Sequence, residues 1–231
     1  MGSPSGCQPR DSPTVSIPKI SVVIPAYNEE KFIGRCLRSA CSQTLSRDLY
    51  EIIVINDCSI DKTLQSIEPY RDDIVLVNNA ENIGLPGSLN RGIREAKGQF
   101  IVRIDADDFV LPEYLHILSL HLRLNNALDA VACDYQLVDE RQNVVVHMNC
   151  QEAPIGCAIM YRIEQLIDVG LYDEAFLARE DEDLRIRFLK KYTITRIPLP
   201  LYKYHLHGEN LTADKAKMER FSQLINEKHR P

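Results

Sequence analysis

Several signals are absent from this chain of 231 residues. Neither G-x-x-x-x-G-K-[ST] nor G-x-G-x-x-G occurs, so a P-loop and a standard dinucleotide fingerprint are both excluded. No apolar run reaches the roughly 20 residues of a membrane-crossing helix. The first six residues contain no apolar signal region, and Gly6 stands where N-myristoylation prefers Ser or Thr. There is no dense Lys/Arg run and the formal net charge is −6. Nucleic acid is therefore set aside as the main partner, because phosphate-backbone binding needs clustered positive charge. A local basic pocket for one small phosphorylated ligand stays open. The seven cysteines include no C-x-x-C pair, which argues against a zinc site or redox dithiol and for free thiols in a reducing cytoplasm. Asn210-Leu211-Thr212 matches a glycosylation triplet, but without a secretory route it reads as chance.

A hydrophobic content of 45% and a charged content of 26% suit a soluble domain with one good core and room for a small appendage. Residues 1–18, rich in Pro, Ser and Gly, read as a disordered leader or tag. Residues 19–212 read as the catalytic domain and 213–231 as a charged C-terminal helix.

Four short β-branched runs predict buried strands: Ile20–Ile24 ending at Pro25, Ile52–Ile55, Asp73–Val77 and Phe100–Ile104. Between them, helical spacing joins Phe32, Ile33, Cys36, Leu37 and Ala40, then a short helix from about Lys62, then Leu89, Ile93 and Ala96, closed by Gly98. This alternation predicts an α/β fold with a Rossmann-like, mostly parallel sheet flanked by helices. After Pro112 the alternation breaks. A helix carrying Leu115, Leu118 and Leu122 is followed by strands near 130–138, 144–148 and 158–161, and helices near 164–169 and 181–191. Two short strands, near 193–197 and 201–205, precede the C-terminal helix. This half reads as a smaller, mixed acceptor-side layer of the same domain.

Open parallel sheets bind ligands at the carboxyl ends of their strands. The residues expected there are Pro25–Glu29, Asn56–Asp61 and Asp105–Asp108. Asp105-Ala106-Asp107-Asp108 places three carboxylates in four residues, and hard divalent ions take such oxygens together with phosphate oxygens. Strand alternation would aim Asp105 and Asp107 the same way. Asp57 is suited to accept from the ring N–H of a uracil-like base. Ser59 or Asp61 is a natural N-cap for the following helix, and Asn28 for the preceding one. Tyr27 can pack on a nucleobase, and Glu29 suits a first helical turn. The acidic run Glu180–Asp183 reads either as a solvated helix start or as the source of a general base. His205 and His207 read either as structural residues or as site residues.

The ordered set Pro25-Ala-Tyr27-Asn28-Glu29, Asp57-Cys-Ser59-Ile-Asp61, Asn82-Ile-Gly84, Asn90-Arg-Gly92, Asp105-Ala-Asp107-Asp108 and Glu180-Asp181 resembles family 2 glycosyltransferases, from about Ile20 to Thr212. The resemblance implies a GT-A fold and an inverting sugar transfer from a nucleotide sugar, UDP-linked in the first instance. The acceptor would be a hydroxyl of a glycan or lipid-linked molecule, as in polysaccharide biosynthesis. It implies that Pro25, Tyr27, Glu29, Asp57, Asp105, Ala106 and Asp107 hold the donor and that Asp181 is the catalytic base. Asp107 would ligate Mn²⁺ or Mg²⁺ with His207, which is preferred over His205. Cys58 stands where the family often has Gly. Ser88-Leu89 stands where it often has Ala-Arg, which removes one expected diphosphate contact and leaves Arg91 or Arg103 as the candidate replacements. The rivals are a sugar nucleotidyltransferase, which would need a Gly-rich phosphate loop, and a non-catalytic nucleotide-sugar-binding module. The cysteine usage and the missing signal region read as a cytoplasmic protein, and the resemblance leaves open peripheral association with the inner face of a membrane. The mixed-charge segment 213–229 reads as a packing or homodimer element rather than a lipid-binding one.

Overall fold

The structure, a computed structural model, describes residues 20–208 and 215–230. The expected leader and the Asn210 triplet lie outside the described residues.

The parallel half consists of β1 (Ile20–Ala26), β2 (Tyr50–Asn56), β3 (Val75–Asn78) and β4 (Phe100–Arg103), interleaved with α1 (Ile33–Cys41), α2 (Thr63–Ile67) and α3 (Gly84–Glu95). The central strands carry unbroken apolar runs, Val22–Ile24, Ile52–Ile55 and Phe100–Val102, because both sheet faces are covered. Val22, Ile24, Ile52 and Val54 pack with Ile33 and Leu37 of α1, while Val23, Ile53 and Ile55 pack with Leu89 and Ile93 of α3. Each fully buried aliphatic side chain contributes about 1.5–3 kcal/mol. The close seating of α3 depends on Gly92, where a β-carbon would lie 2.4 Å from Val23 Cγ1. Gly92→Ala should destabilise the protein by roughly 1–3 kcal/mol through overpacking, read as a lower urea midpoint with an unchanged m-value.

The second half comprises β5 (Phe109–Val110), α4 (Tyr114–Leu124), β6 (Ala130–Val138), β7 (Val144–Met148), β8 (Ile159–Arg162), α5 (Ile163–Asp168), α6 (Glu180–Leu189), β9 (Ile194–His205) and α7 (Lys215–Lys228). It continues the same sheet edge to edge: β8 pairs antiparallel with β4, and the strand order is β3-β2-β1-β4-β8-β6-β9-β5, with β7 on β6. The six described cysteines are free thiols.

Three expectations need correction. Pro25 does not end β1, which runs on to Ala26 and pairs Pro25 with Ile55. Pro25 shares the orientation of Val23, whose carbonyl accepts Ile104 N–H, so its missing donor falls where β4 has already ended. The two strands expected near 193–197 and 201–205 are one strand, β9. It follows β6 across register shifts that pass over Pro198 and Leu199 and then over Leu201, and the prolines are tolerated at this irregularity. The third strand begins at Val75, because a 3-10 turn holds Glu68–Asp73.

Candidate active site

The loops after β1 and β2 are stitched together by backbone donors. Asn28 and Glu29 donate their N–H groups to Ser59 Oγ (3.1 Å) and Thr63 Oγ1 (2.7 Å), and Glu30 N–H goes to Asp61 Oδ2 (3.0 Å). Asn28, in the left-handed region at φ 58°, accepts Ile60 N–H rather than capping α1, which begins without a side-chain cap. Asp61 secures the entry to α2 by accepting Thr63 N–H (2.9 Å). Tyr27 is left 46% exposed at the mouth, a ring face available for stacking.

Asp57 is buried. Its carboxylate accepts from Asn79 Nδ2 (2.7 Å) and from the N–H groups of Ile83 and Gly84 (both 2.9 Å), so it anchors the start of α3. Oδ2 receives only the Gly84 N–H among the described residues, which leaves one acceptor direction for a base. Gly84 adopts φ +78°, a conformation that favours glycine. Arg91 is held by Asn78 O and Asn79 Oδ1, and Arg103 is committed elsewhere, so neither replaces the missing diphosphate arginine.

The acidic segment after β4 is a turn closed by Asp108 N–H on Asp105 O (3.0 Å), so strand alternation does not apply and its carboxylates take different partners. Asp105 meets Arg103 through Nε–Oδ1 (2.5 Å) and Nη2–Oδ2 (3.2 Å). Asp108 points inward, accepting the Tyr202 hydroxyl (2.7 Å) and His205 N–H (2.8 Å); burial, reinforced by the Asp107 and Asp105 charges, pushes it well above the usual carboxylate range. Asp107 turns to His207, with Oδ2 and Nε2 2.8 Å apart. Burial and then Asp105 raise the Asp107 carboxyl, with His207 opposing. The Phe32 ring packs against both histidines, its centroid 5.0 Å from His205 and 4.6 Å from His207. His205 is lowered to about 4, first by burial and then by Arg35 and His207, so it is neutral at pH 7.

Two groups of side chains can be weighed as cation ligands. Asp105, Asp108 and Cys157 bring ligand atoms within 4.8 Å of one another. However, Asp105 is bound to Arg103, Asp108 is bound to Tyr202 and His205, and burial pushes the Cys157 thiol well up, so it stays protonated. Asp107 and His207 fit better. They offer one carboxylate and one imidazole donor side by side, with side chains 19% and 8% exposed, leaving the remaining positions to phosphate oxygens.

Asp181 is the second residue of α6. Arg179, at φ 58°, turns the chain into the helix; Glu180 is buried and Asp181 half-buried, so this is not a solvated helix start. Arg103 Nη1 meets Glu180 Oε1 at 2.8 Å, so one guanidinium ties the Asp105 turn to the start of α6. Burial raises the Asp181 carboxyl, with Arg103 opposing. Gly156 lets the preceding loop press against it, since a β-carbon there would lie 2.5 Å from Asp181 Cβ and 3.1 Å from Arg103 Nη1. Gly156→Ala should therefore lower kcat about 10- to 100-fold while leaving nucleotide affinity within twofold, measured by initial rates and calorimetry. The sequence reading missed Gly156 altogether and weighed Arg103 only as a phosphate contact. A charged residue closing a buried apolar strand was the one available signal.

A parallel α/β sheet with an acidic turn at its carboxyl end and a mixed extension behind it defines a GT-A fold. The chain belongs to glycosyl transferase family 2, whose profile matches residues 21–180. An uncharacterized glycosyltransferase of Haemophilus influenzae is 27% identical over 244 residues, covering 90% of this chain and 75% of that protein. Poly(ribitol-phosphate) beta-N-acetylglucosaminyltransferase TarS of Staphylococcus aureus is 40% identical over 100 residues, 42% of this chain and 18% of that protein. Among solved structures, S. aureus TarS 1-349 in complex with UDP-GlcNAc superposes with a TM-score of 0.74 at 23% identity, over 90% of this chain and 65% of that one. A mannosyltransferase from Pyrobaculum calidifontis in complex with GDP-Man and Mn²⁺ gives 0.74 at 19% identity, over 93% and 64%. The chain thus spans just under two thirds of these solved chains.

Proposed function

We propose that this chain is an inverting, metal-dependent glycosyltransferase that moves a sugar from a nucleotide sugar, UDP-linked in the first instance, to a hydroxyl of a glycan or lipid-linked acceptor in polysaccharide synthesis. The observation that carries this reading is the Arg103 guanidinium, which ties Asp105, in the same turn as Asp107, to Glu180, the neighbour of Asp181. Relatives that bind UDP-GlcNAc and GDP-Man support a nucleotide-sugar donor, and the mannosyltransferase complex supports Mn²⁺. Residues 19–212 form the proposed transferase domain, and residues 213–231 its C-terminal element. No helix among the described residues is long and apolar enough to cross a membrane, and a cytoplasmic site, peripheral to the inner membrane face, is part of the proposal.

Tyr27 stacks on the base, Pro25 and Glu29 complete the nucleoside wall, and Asp57 offers its remaining Oδ2 direction to a ring N–H. Asp105 and Ala106 border the ribose and diphosphate. Asp107 and His207 would hold the divalent ion, which supplies charge neutralisation to the leaving diphosphate. Asp181 takes the acceptor hydroxyl's proton as that oxygen attacks the anomeric carbon from the face opposite the nucleotide. An α-linked donor then yields a β-linked product.

Asp107→Ala should reduce Mn²⁺-dependent UDP affinity at least tenfold by calorimetry, with metal-free binding unchanged. Equal affinity with and without Mn²⁺ in the wild-type protein would overturn the metal assignment. Donor hydrolysis with Mn²⁺, followed by UDP release, tests the activity itself.

A further inference from the structure

We propose that the acceptor carries an anionic group next to an apolar portion, and that Arg185 and the cavity beneath it select that chemistry. This inference rests on Asp181 being the base. A cavity of about 220 Å³ lies between α6 and the sheet, beside the 149–158 loop, with Ile155, Ile159, Leu189 and Ile194 among its apolar walls. Its place in the fold links it to the reacting centre. Gly156, the residue that presses on Asp181, sits between two wall residues, Ile155 and Cys157. Arg185 and Leu189 follow Asp181 at one and two helical turns on the same face of α6, so the cavity runs from about 6 to about 12 Å along the axis from the base.

The two arginines of the cavity are not equivalent. Arg196 is paired with Asp134 by two bonds, Nε–Oδ1 at 2.9 Å and Nη2–Oδ2 at 2.6 Å. Arg185 forms no hydrogen bond or ion pair among the described residues, although every other arginine of α6 and its entry has a carboxylate: Arg179 has Glu182 and Arg187 has Asp183. A guanidinium at the wall of an apolar cavity, with no carboxylate in hydrogen-bonding contact among the described residues, is suited to a phosphate or carboxylate, which it can grip with two parallel N–H bonds. Its positive charge near Asp181 also favours the ionised form of that carboxyl, so an anion that neutralises Arg185 makes Asp181 a stronger base. An uncharged acceptor would fill the cavity without using the arginine.

The test uses the full chain and three probes by calorimetry or NMR titration: hexyl phosphate, hexyl glucoside and inorganic phosphate. Hexyl phosphate should bind tightest, and Arg185→Gln should weaken it about tenfold while leaving hexyl glucoside unchanged. Arg185→Lys should recover part of the loss. Leu189→Gln, at a half-exposed position that does not threaten folding, should weaken hexyl phosphate but not inorganic phosphate. Asp107→Ala should leave hexyl phosphate binding as it is, which separates this cavity from the donor crevice. Equal binding of hexyl phosphate to wild type and Arg185→Gln, or of hexyl glucoside and hexyl phosphate to wild type, would overturn the proposal. If hexyl phosphate binds as expected while UDP with Mn²⁺ does not bind at all, the donor reading fails and the anionic cavity stands.

Discussion

Asp181→Asn is expected to lower transfer by about 10²–10⁴-fold, the range spanned by a positioned general base, while UDP affinity stays within twofold of wild type. The amide keeps the size and seating against Gly156 and loses only the proton acceptor. Initial rates and calorimetry on the same preparation check both halves, and near wild-type turnover would remove Asp181 from the role. The pH dependence follows from the same burial. Because burial raises the folded-state pKa of Asp181, and of Glu180 beside it, the acidic limb of kcat should lie above that of an exposed aspartate. The sign for stability is opposite. A carboxyl whose folded pKa is raised stabilises the fold while protonated, and that contribution is lost as pH rises through the folded value. Asp181→Asn should therefore be no less stable than wild type at pH 7, and its melting temperature should depend less on pH over the acidic range. A variant that is inactive yet at least as stable indicates a side chain placed for chemistry rather than for folding.

Arg103→Met is expected to destabilise the protein by about 3–5 kcal/mol, the range for removing one partner of a buried ion pair. Arg103 has 10% of its side chain exposed and Glu180 only 6%, so water cannot replace the lost guanidinium. The penalty lies in the carboxylates left behind. Adding Glu180→Gln should therefore recover part of the loss, even though it removes a second polar partner. Urea denaturation of wild type, both single variants and the double variant gives the coupling energy directly. Additive losses would mean that Arg103 acts through packing alone. If the double variant folds well but transfers poorly, the bridge also sets the distance between the acidic turn and Asp181.

How far the sequence could be read depended on the range of the interaction. The parallel strands were legible because burial on both faces demands unbroken apolar residues, as in Ile52–Ile55. The acidic turn stood out because Asp105–Asp108 directly follows such a strand. β9 was read as two strands because Pro198 and Pro200 are local stop signals, whereas the register shifts that accommodate them arise only where β9 pairs with β6. Asn28 carried a capping signal, but its side chain was taken by Ile60, 32 positions away.

The sequence by itself determined the α/β class, which rests on short-range periodicity, and the family, which rests on an ordered set of short motifs that includes Asp107 and Asp181. Only the tertiary structure decided how the acidic residues are divided. It sends Asp105 to Arg103, Asp107 to His207 and Asp108 into the core with Tyr202. It also decided that Gly156 seats the proposed base and that Arg185 lines a cavity with no hydrogen-bonded carboxylate among the described residues. Charges three residues apart look alike in a sequence. What separates them is the desolvation and pairing imposed by partners brought in from up to 100 positions away.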